Sequence, residues 1–317
     1  MKVTEHIKNA KGTLFSLEVL PPLKGSNIET IFEHIDPLME FKPPFIDVTY
    51  HREEYVYKKR ENGLLERSTT KKRPGTVGIC AAIRHRYGVD PVPHMICGGF
   101  SKEETENALI DLDFVGIDNV LVIRGDSIKN EPRFVPEPDG NEYALDLLKQ
   151  VHNMNNGIYL DEDLTNVSPT DFCTGVAGYP EKHFEAPNMK GDLKHLKEKV
   201  DAGAGYIVTQ MFFDNQKYFS FVENCRDIGI DIPIIPGLKP ITSLSQISTL
   251  ARLFHIDIPE ELVHEVEKCK NNAEARQVGV EWGIQQSKEL MEYGVPVLHY
   301  YSMGKSESVF KIAKELF

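Results

Sequence analysis

Eight short apolar runs alternate with amphipathic segments along the chain, and this alternation constrains the fold more than any other feature. Short continuous apolar runs are typical of strands that are buried on both faces of a parallel sheet. The eight predicted strands are Thr13–Pro22, Phe45–Tyr50, Pro91–Cys97, Asn119–Ile123, Cys173–Tyr179, Gly205–Asp214, Ile232–Gly237 and Val295–Tyr301.

Apolar residues recur at helical spacing between these strands. Ser101 with Glu104, and Ser243 with Gln246, have the spacing of capping boxes at helix starts. Two segments show no clear period: His51–Arg73, which we interpret as a charged mobile loop with room for a helical turn, and the polar, irregular Asn155–Thr170. The predicted helices are Asn27–Phe41, Thr76–Tyr87, one starting at Ser101, Asn141–Met154, one containing Leu193 and Val200, Gln216–Asp227, one starting at Ser243, Pro259–Lys268, Ala273–Tyr293 and Ser306–Phe317.

This order of elements predicts an α/β fold, a (β/α)8 TIM barrel with extra helices before the last strand. No linker or repeat interrupts the pattern, so we expect a single catalytic domain over residues 1–317. A doubly wound sheet is the competing fold. It normally carries a glycine-rich phosphate turn after its first strand, where this chain has Pro21 and Pro22.

Polar residues collect at the ends of the predicted strands. The carboxyl ends of barrel strands meet at one mouth, where active sites of such folds lie. Several candidate residues also have a plainer interpretation: Arg124 to Asp126 as a solvated turn, His94 as a core histidine, Asp192 and Lys199 as a helix surface. The strand-end residues are Glu18, Thr49, His94, Arg124, Asp126, Tyr179, His183 and Gln210.

Composition and motifs exclude several classes of function. The net charge of −12 argues against non-specific nucleic-acid binding, which requires a basic surface. The histidines and five dispersed cysteines lack metal-site spacing, and GxSxG is absent, so we expect neither a metal site nor Ser-His-Asp catalysis. No run is long enough for a membrane span, and the polar start has no signal-peptide core. We therefore expect a cytoplasmic barrel enzyme that acts on a bound organic cofactor.

Short motifs in a specific order add a family resemblance. They include Phe15–Pro22, Ile123–Asp126, Tyr179–His183, Thr209–Asp214 and His299–Tyr301. With these segments the chain resembles methylenetetrahydrofolate reductase of the bacterial single-domain type, from Phe15 to Lys305. The resemblance implies a (β/α)8 barrel that holds FAD at its mouth.

The resemblance also implies roles for individual residues. Glu18 matches the acid that protonates the folate and opens its five-membered ring, and Asp126 the carboxylate beside the flavin. Gln210 and Gln246 match folate-binding positions. Leu250 aligns where many bacterial members stack an aromatic residue, and Lys305 where they have arginine. The FAD-contacting positions would be Thr49, His94, Arg124, Gly125, Asp126, Tyr179, His183, Asp192 and Lys199.

The implied reaction is a ping-pong cycle of two hydride transfers at one site. NADH or NADPH reduces FAD, and the reduced flavin converts methylenetetrahydrofolate to methyltetrahydrofolate, the methyl source for methionine. The expected partners are these small molecules, in a homo-oligomer. Two alternatives stay open: another FAD-dependent barrel oxidoreductase resembling proline dehydrogenase, and a non-catalytic folate- or flavin-binding subunit.

Overall fold

Nine parallel strand segments form the central sheet in a computed structural model, which describes residues 1–128 and 133–317, without the side chains of residues 54, 55 and 69. The strands are β1 Leu14–Val19, β2 Phe45–Val48, β3 Glu54–Lys59, β4 Leu65–Thr70, β5 Asp90–Ile96, β6 Asn119–Ile123, β7 Cys173–Gly178, β8 Tyr206–Thr209, β9 Ile234–Ile235, β10 Gly237–Leu238 and β11 Val297–Tyr301. The order of the nine parallel segments around the sheet is β10-β11-β1-β2-β5-β6-β7-β8-β9. A separate antiparallel hairpin consists of β3 and β4.

The nine segments occupy eight positions around a barrel, because β9 and β10 are two halves of the predicted seventh strand. Pro236 lies between the halves and has no N–H for the ladder. β9 pairs with β8, and β10 pairs with β11. The His299 N–H donates to the Pro236 carbonyl at 3.2 Å, which continues the ladder across the break. The predicted (β/α)8 barrel is therefore confirmed.

Helices follow the strands and cover the outside of the barrel. The α-helices are α1 Val3–Asn9, α2 Glu29–Ile35, α3 Thr76–Tyr87, α4 Lys102–Phe114, α5 Ala144–Asn155, α6 Met189–Asp201, α7 Asn215–Asp227, α8 Gln246–Phe254, α9 Glu260–Glu267, α10 Asn272–Tyr293 and α11 Glu307–Lys314. A 3₁₀ helix, Asp36–Phe41, continues α2. The predicted extra helices before the last strand are α8 to α10.

The lower barrel interior is apolar, and α1 closes its amino end. Val3 is fully buried in one cluster with Phe45, Val92 and Tyr206 from the strands. The Val3 N–H donates to the Asn119 side chain at 2.8 Å, which fixes the helix beneath the sheet. Helix α1 thus leaves the opposite, carboxyl end of the strands as the mouth of the barrel.

The prediction of a mobile loop over His51–Arg73 was wrong, because β3 and β4 form a hairpin there. The Arg60 N–H donates to the Leu64 carbonyl at 2.8 Å, and Gly63 has a φ of +79° in the turn. The sequence signal is Asn62-Gly63, a pair that favours tight hairpin turns. It was missed because the hairpin is largely exposed, so charged residues obscure its strand pattern.

The predicted capping box of Ser243 and Gln246 is also wrong. Helix α8 starts at Gln246, whose side-chain oxygen accepts from the Thr242 N–H at 2.6 Å and from the Thr242 hydroxyl at 3.1 Å. The glutamine therefore closes the preceding turn instead of bonding the Ser243 N–H. The other predicted box is confirmed: the Glu104 N–H donates to the Ser101 hydroxyl at 3.2 Å, and the Ser101 N–H donates to the Glu104 carboxylate at 2.8 Å.

Gly279 of α10 allows this helix to contact the chain just after β10. A Cβ at this position would lie 2.0 Å from the Ile241 carbonyl oxygen, so the backbone would have to move. We expect Gly279→Ala to lower the free energy of unfolding by about 2–3 kcal/mol, in line with overpacking. Gly78 of α3 is the matched control, because its Cβ would meet no atom within 4 Å. Gly78→Ala should stabilise by about 0.5–1 kcal/mol. Urea unfolding of both variants tests the pair, and equal midpoints would contradict the close contact.

Candidate active site

Glu18 lies at the carboxyl end of β1, on the inner side of the barrel. Alternate residues of a strand face the same side, so Ser16 and Glu18 both face the interior. In the sheet, Glu18 aligns with Asp47 of β2 on one side and with Tyr301 of β11 on the other. Its backbone carbonyl accepts from the Ser302 hydroxyl at 2.7 Å. Both neighbouring strands therefore fix the position of this carboxyl group.

His94 contacts two carboxylates at once. Its Nε2 atom lies 3.5 Å from Glu18 Oε2 and 3.5 Å from Asp47 Oδ2. The exposed fractions of the side chains are 15% for Glu18, 6% for His94 and 1% for Asp47. Among described residues, none hydrogen-bonds to either Asp47 oxygen or to His94 Nε2. At 3.5 Å the contacts are longer than charged hydrogen bonds of about 2.8 Å, so electrostatic attraction dominates them.

Burial in this cluster shifts the protonation of Glu18 and His94. Loss of solvation raises the pKa of Glu18 to about 7; the His94 charge opposes this shift, and the Asp47 charge adds to it. Burial alone would lower the pKa of His94, but Asp47 and Glu18 together raise it. Near neutral pH the cluster can thus hold a protonated carboxyl group next to an imidazolium. That is the arrangement of a general acid.

Further polar side chains lie deeper in the barrel. The Ser16 hydroxyl and His299 Nδ1 are 2.7 Å apart, and both residues are buried. Burial lowers the pKa of His299, which favours its neutral form. The Tyr206 hydroxyl and His299 Nε2 have no hydrogen-bond partner among the described residues. From the amino end of the barrel toward its mouth, the interior side chains therefore change from apolar to polar below the level of Glu18.

Arg124 and Gly125 follow β6 and form another part of the mouth. The Arg124 guanidinium lies 2.7 Å from the Glu185 carboxylate and 5.3 Å from the centre of the Phe134 ring. Gly125 has a φ of +83°, and a Cβ there would lie 3.3 Å from Ile96. Glycine is needed at this turn because side chains rarely adopt that φ. The Arg124 fork is well shaped for a phosphate or carboxylate group.

The loop after β7 and helix α6 bring together four predicted cofactor residues. The rings of Tyr179 and His183 are 4.7 Å apart and meet edge to face. The His183 N–H donates to the Asp192 carboxylate at 2.9 Å, and Lys199 Nζ donates to the Ala177 carbonyl at 2.8 Å. Burial lowers the pKa of Lys199 to about 8, with Asp192 opposing the shift.

Electrostatic interactions show that the β6 tip and α6 face the same region. Burial and then the Arg124 charge lower the pKa of His183; Glu185 and Asp192 oppose this shift, and Lys199 adds to it. Burial raises the pKa of Tyr179, with contributions from Asp192 and Asp126 in the same direction. The structure thus brings together Arg124, Asp126, Tyr179, His183, Asp192 and Lys199.

Thr49 and Asp126 stand at the edge of this region. The Thr49 hydroxyl donates to the Val19 carbonyl at 3.2 Å, which connects the ends of β1 and β2. Asp126 is exposed, three residues beyond the end of β6. An exposed carboxylate at the mouth is available to a ligand but does not belong to the buried cluster.

The four predicted substrate residues occupy different environments. Gln210, just after β8, bonds through its side-chain oxygen to the Met211 N–H at 2.9 Å. Gln246 closes the turn before α8. Leu250 is 4% exposed and packs in a cluster with Ile241. Lys305 is exposed, and its charge, after burial, contributes to lowering the pKa of Lys239 to about 8.

The site residues that were not predicted from the sequence include Asp47, His299 and Glu185. Asp47 and His299 lie inside apolar runs, and Glu185 follows the Tyr179–His183 motif. For Asp47 and His299 the available signal was strand parity, because Ser16, Asp47 and His299 occupy inward positions of their strands. Within residues 1–128 and 133–317, no cluster of three or more histidine, cysteine, aspartate or glutamate side chains could hold a metal ion. No helix in those ranges is both long and apolar enough to cross a bilayer.

Comparisons with known proteins cover almost the whole chain. A family model described as methylenetetrahydrofolate reductase matches residues 2–317. A probable methylenetetrahydrofolate reductase (NADPH) of Caenorhabditis elegans is 31% identical over 315 residues, which are 98% of this chain and 43% of that protein. A 5,10-methylenetetrahydrofolate reductase of Pectobacterium carotovorum subsp. carotovorum is 30% identical over 302 residues, 95% of this chain and 89% of that protein. The chain thus spans about half the length of its eukaryotic relatives and nearly all of the bacterial one.

A solved structure supports the fold at lower identity. It is an uncharacterized protein from Clostridium thermocellum, described as binding two copies of 5-methyl-5,6,7,8-tetrahydrofolic acid. The TM-score is 0.62 at 15% identity, over 99% of this chain and 97% of that chain. At this identity the likeness concerns the arrangement of strands and helices alone.

Proposed function

The chain belongs to the methylenetetrahydrofolate reductase family, and from this membership we propose that it reduces methylenetetrahydrofolate to methyltetrahydrofolate with electrons from NADH or NADPH. The observation that carries the proposal is Glu18, a carboxyl group at the barrel mouth whose pKa is raised to about 7. Reduction of this substrate needs an acid, because a ring C–N bond must break before the methylene carbon can accept hydride.

The mouth also fits FAD, which we propose as the cofactor. Arg124 and Lys199 supply two cations for its diphosphate, and both face the region around His183. Gly125 lets the backbone approach a flat ring without a side chain in between, and Tyr179 supplies a half-buried aromatic wall. Glu185 pairs with Arg124 and would have to release it when the diphosphate binds. When bound, FAD would supply the hydride chemistry that amino-acid side chains lack.

In the proposed reaction Glu18 transfers its proton to a nitrogen of the folate ring. The Glu18 O–H bond breaks, an N–H bond forms, and the ring C–N bond opens to leave an iminium cation on the substrate. Asp126 supplies negative charge near the mouth, which would stabilise such a cation. Gln210 and Gln246 have side-chain amides that could orient the folate, and Leu250 and Lys305 would contribute apolar contact and positive charge. Glu18 must regain a proton before the next turnover.

The test of the proposed function uses the purified protein reconstituted with FAD, followed anaerobically by stopped-flow absorbance. We expect NADH or NADPH to bleach the flavin spectrum, and methylenetetrahydrofolate to restore it with formation of methyltetrahydrofolate. A protein that binds no FAD would contradict the proposal. Flavin reduction by proline would instead favour a proline dehydrogenase-like enzyme. FAD binding without either half-reaction would indicate a non-catalytic subunit.

The pH dependence of the folate half-reaction should follow Glu18. A general acid is active when protonated, so the activity is present below its pKa and is lost as pH rises through about 7. Well above that pH the rate should fall about tenfold per pH unit, and this decline forms the alkaline limb of the pH–rate profile. Flavin reduction by the nicotinamide nucleotide needs no proton from Glu18 and should lack this limb. Stopped-flow rates of both half-reactions across pH test the difference; a shared limb would assign it to the flavin or to folding.

A further inference from the structure

The cluster around His94 contains one carboxylate that the proposed reaction does not use. Asp47 is 1% exposed, and no described residue hydrogen-bonds to its oxygens, although buried carboxylates are normally paired by several donors. Its contact is the ion pair with His94 Nε2 at 3.5 Å, the same atom that contacts Glu18. One imidazolium thus lies between two carboxyl groups. Since it carries one positive charge, it cannot fully neutralise both of them.

We propose that Asp47 is a positioning residue that keeps Glu18 protonated, because it neutralises the His94 imidazolium that would otherwise hold Glu18 as a carboxylate. The inference rests on the proposed function, since it assigns Asp47 to the acid of that reaction. A second negative charge beside Glu18 makes ionisation of Glu18 less favourable. Glu18 and His94 titrate as a coupled pair beside the Asp47 charge, so removal of that negative charge lowers the affinity of the pair for its second proton.

Other ionisable groups around Asp47 do not provide this charge. His299 has its pKa lowered by burial and is neutral near pH 7. Burial raises the pKa of the Cys80 thiol and of the Tyr206 and Tyr301 phenols, which keeps these groups neutral as well. Asp47 is therefore the one negative charge in this group when Glu18 is protonated. The groups that interact electrostatically with Asp47 are Glu18 on β1, Cys80 on α3, His94 on β5, Tyr206 on β8 and His299 and Tyr301 on β11.

The test compares Asp47→Asn with Asp90→Asn. Asparagine matches aspartate in size and removes the charge. Asp90 is the matched control: it is also a largely buried aspartate, on the strand paired with β2, but it lies at the amino end of the barrel with His6 and the amino terminus. We expect the alkaline limb of the folate half-reaction to move to lower pH in Asp47→Asn. At pH values where both proteins are already on this limb, the rate of the variant should be about tenfold below that of the unmodified protein. Asp90→Asn should keep the original limb.

A spectroscopic readout separates this inference from the proposed function. The protonated carboxyl band of Glu18 can be followed by infrared titration of the FAD-free protein and assigned by its loss in Glu18→Gln. In Asp47→Asn this band should disappear at lower pH than in the unmodified protein and in Asp90→Asn. Coincident titrations would overturn the inference even if the enzyme is a reductase. An unmodified protein that does not reduce methylenetetrahydrofolate would overturn the proposed function, while the infrared shift still decides the role of Asp47.

A second neutral variant, Asp47→Ser, guards against a specific effect of the amide. It should show the same downward shift of the limb and the band. If both neutral variants failed to fold, as judged by circular dichroism and FAD binding, the inference would be overturned, because the barrel itself would then require the Asp47 charge.

Discussion

Replacement of Glu18 by glutamine should slow the folate half-reaction by about 10²–10⁴-fold and leave flavin reduction by the nicotinamide nucleotide nearly unchanged. Glutamine has the size of glutamate but has no acidic proton to donate. The side chain is 15% exposed and lies 3.5 Å from His94, so the replacement fits the existing space. Anaerobic stopped-flow of the two half-reactions measures both effects on the same protein sample.

Glu106→Gln is the matched control for this experiment. Glu106 is another mostly buried glutamate whose pKa is raised by burial, but it belongs to α4 and accepts from the Leu160 N–H at 2.9 Å. We expect both half-reactions to survive in Glu106→Gln. Equal loss of both half-reactions in Glu18→Gln would show that Glu18 supports the structure instead of donating a proton.

Replacement of Lys199 by methionine should weaken FAD binding by about 10- to 100-fold, the equivalent of a charged hydrogen bond of about 1.5–3 kcal/mol. Lys199 is held within the site by its bond to the Ala177 carbonyl and interacts electrostatically with Asp192. Methionine keeps the length and apolar character of the side chain but removes the charge. Titration of the FAD-free protein, followed by quenching of flavin fluorescence, gives the dissociation constant.

Lys194→Met provides the comparison on the same helix. The Lys194 side chain is 76% exposed and lies 3.9 Å from Glu198 on the surface. Its replacement should leave the affinity for FAD unchanged. If both lysine variants bound FAD as tightly as the unmodified protein, Lys199 would have to be removed from the cofactor site.

The sequence predicted the barrel well because strands and helices leave separate periodic signals. All eight predicted strands correspond to strand segments, and α3 has the predicted bounds, Thr76–Tyr87. The hairpin of β3 and β4 was missed because its two strands contribute no buried face to the barrel. The break at Pro236 was missed because the run Ile232–Gly237 has the composition of one strand, whereas the missing N–H of proline divides it in the sheet.

The candidate site was predicted in part, by a different route. Strand ends indicated the mouth, and the structure brings Arg124, Tyr179 and His183 together there. Asp47 and His299 were not predicted as site residues, because apolar neighbours on both sides hide an inward-facing polar residue in a buried strand. Their importance depends on distances across the barrel, such as the 3.5 Å between Asp47 and His94, and sequence spacing carries no information on those.

The two sides of the mouth are supported by apolar clusters of different size. Tyr179, Asp192 and Lys199 rest on β7 and α6, which contribute Val176, Leu193 and Leu196 to the main core. Gln246 and Leu250 belong to α8, which packs in a separate, smaller cluster with Ile241 and Leu262. Parts of a protein with fewer buried apolar contacts open at lower free energy. We therefore expect the corner that carries α8 to open at lower free energy than the frame around β7 and α6.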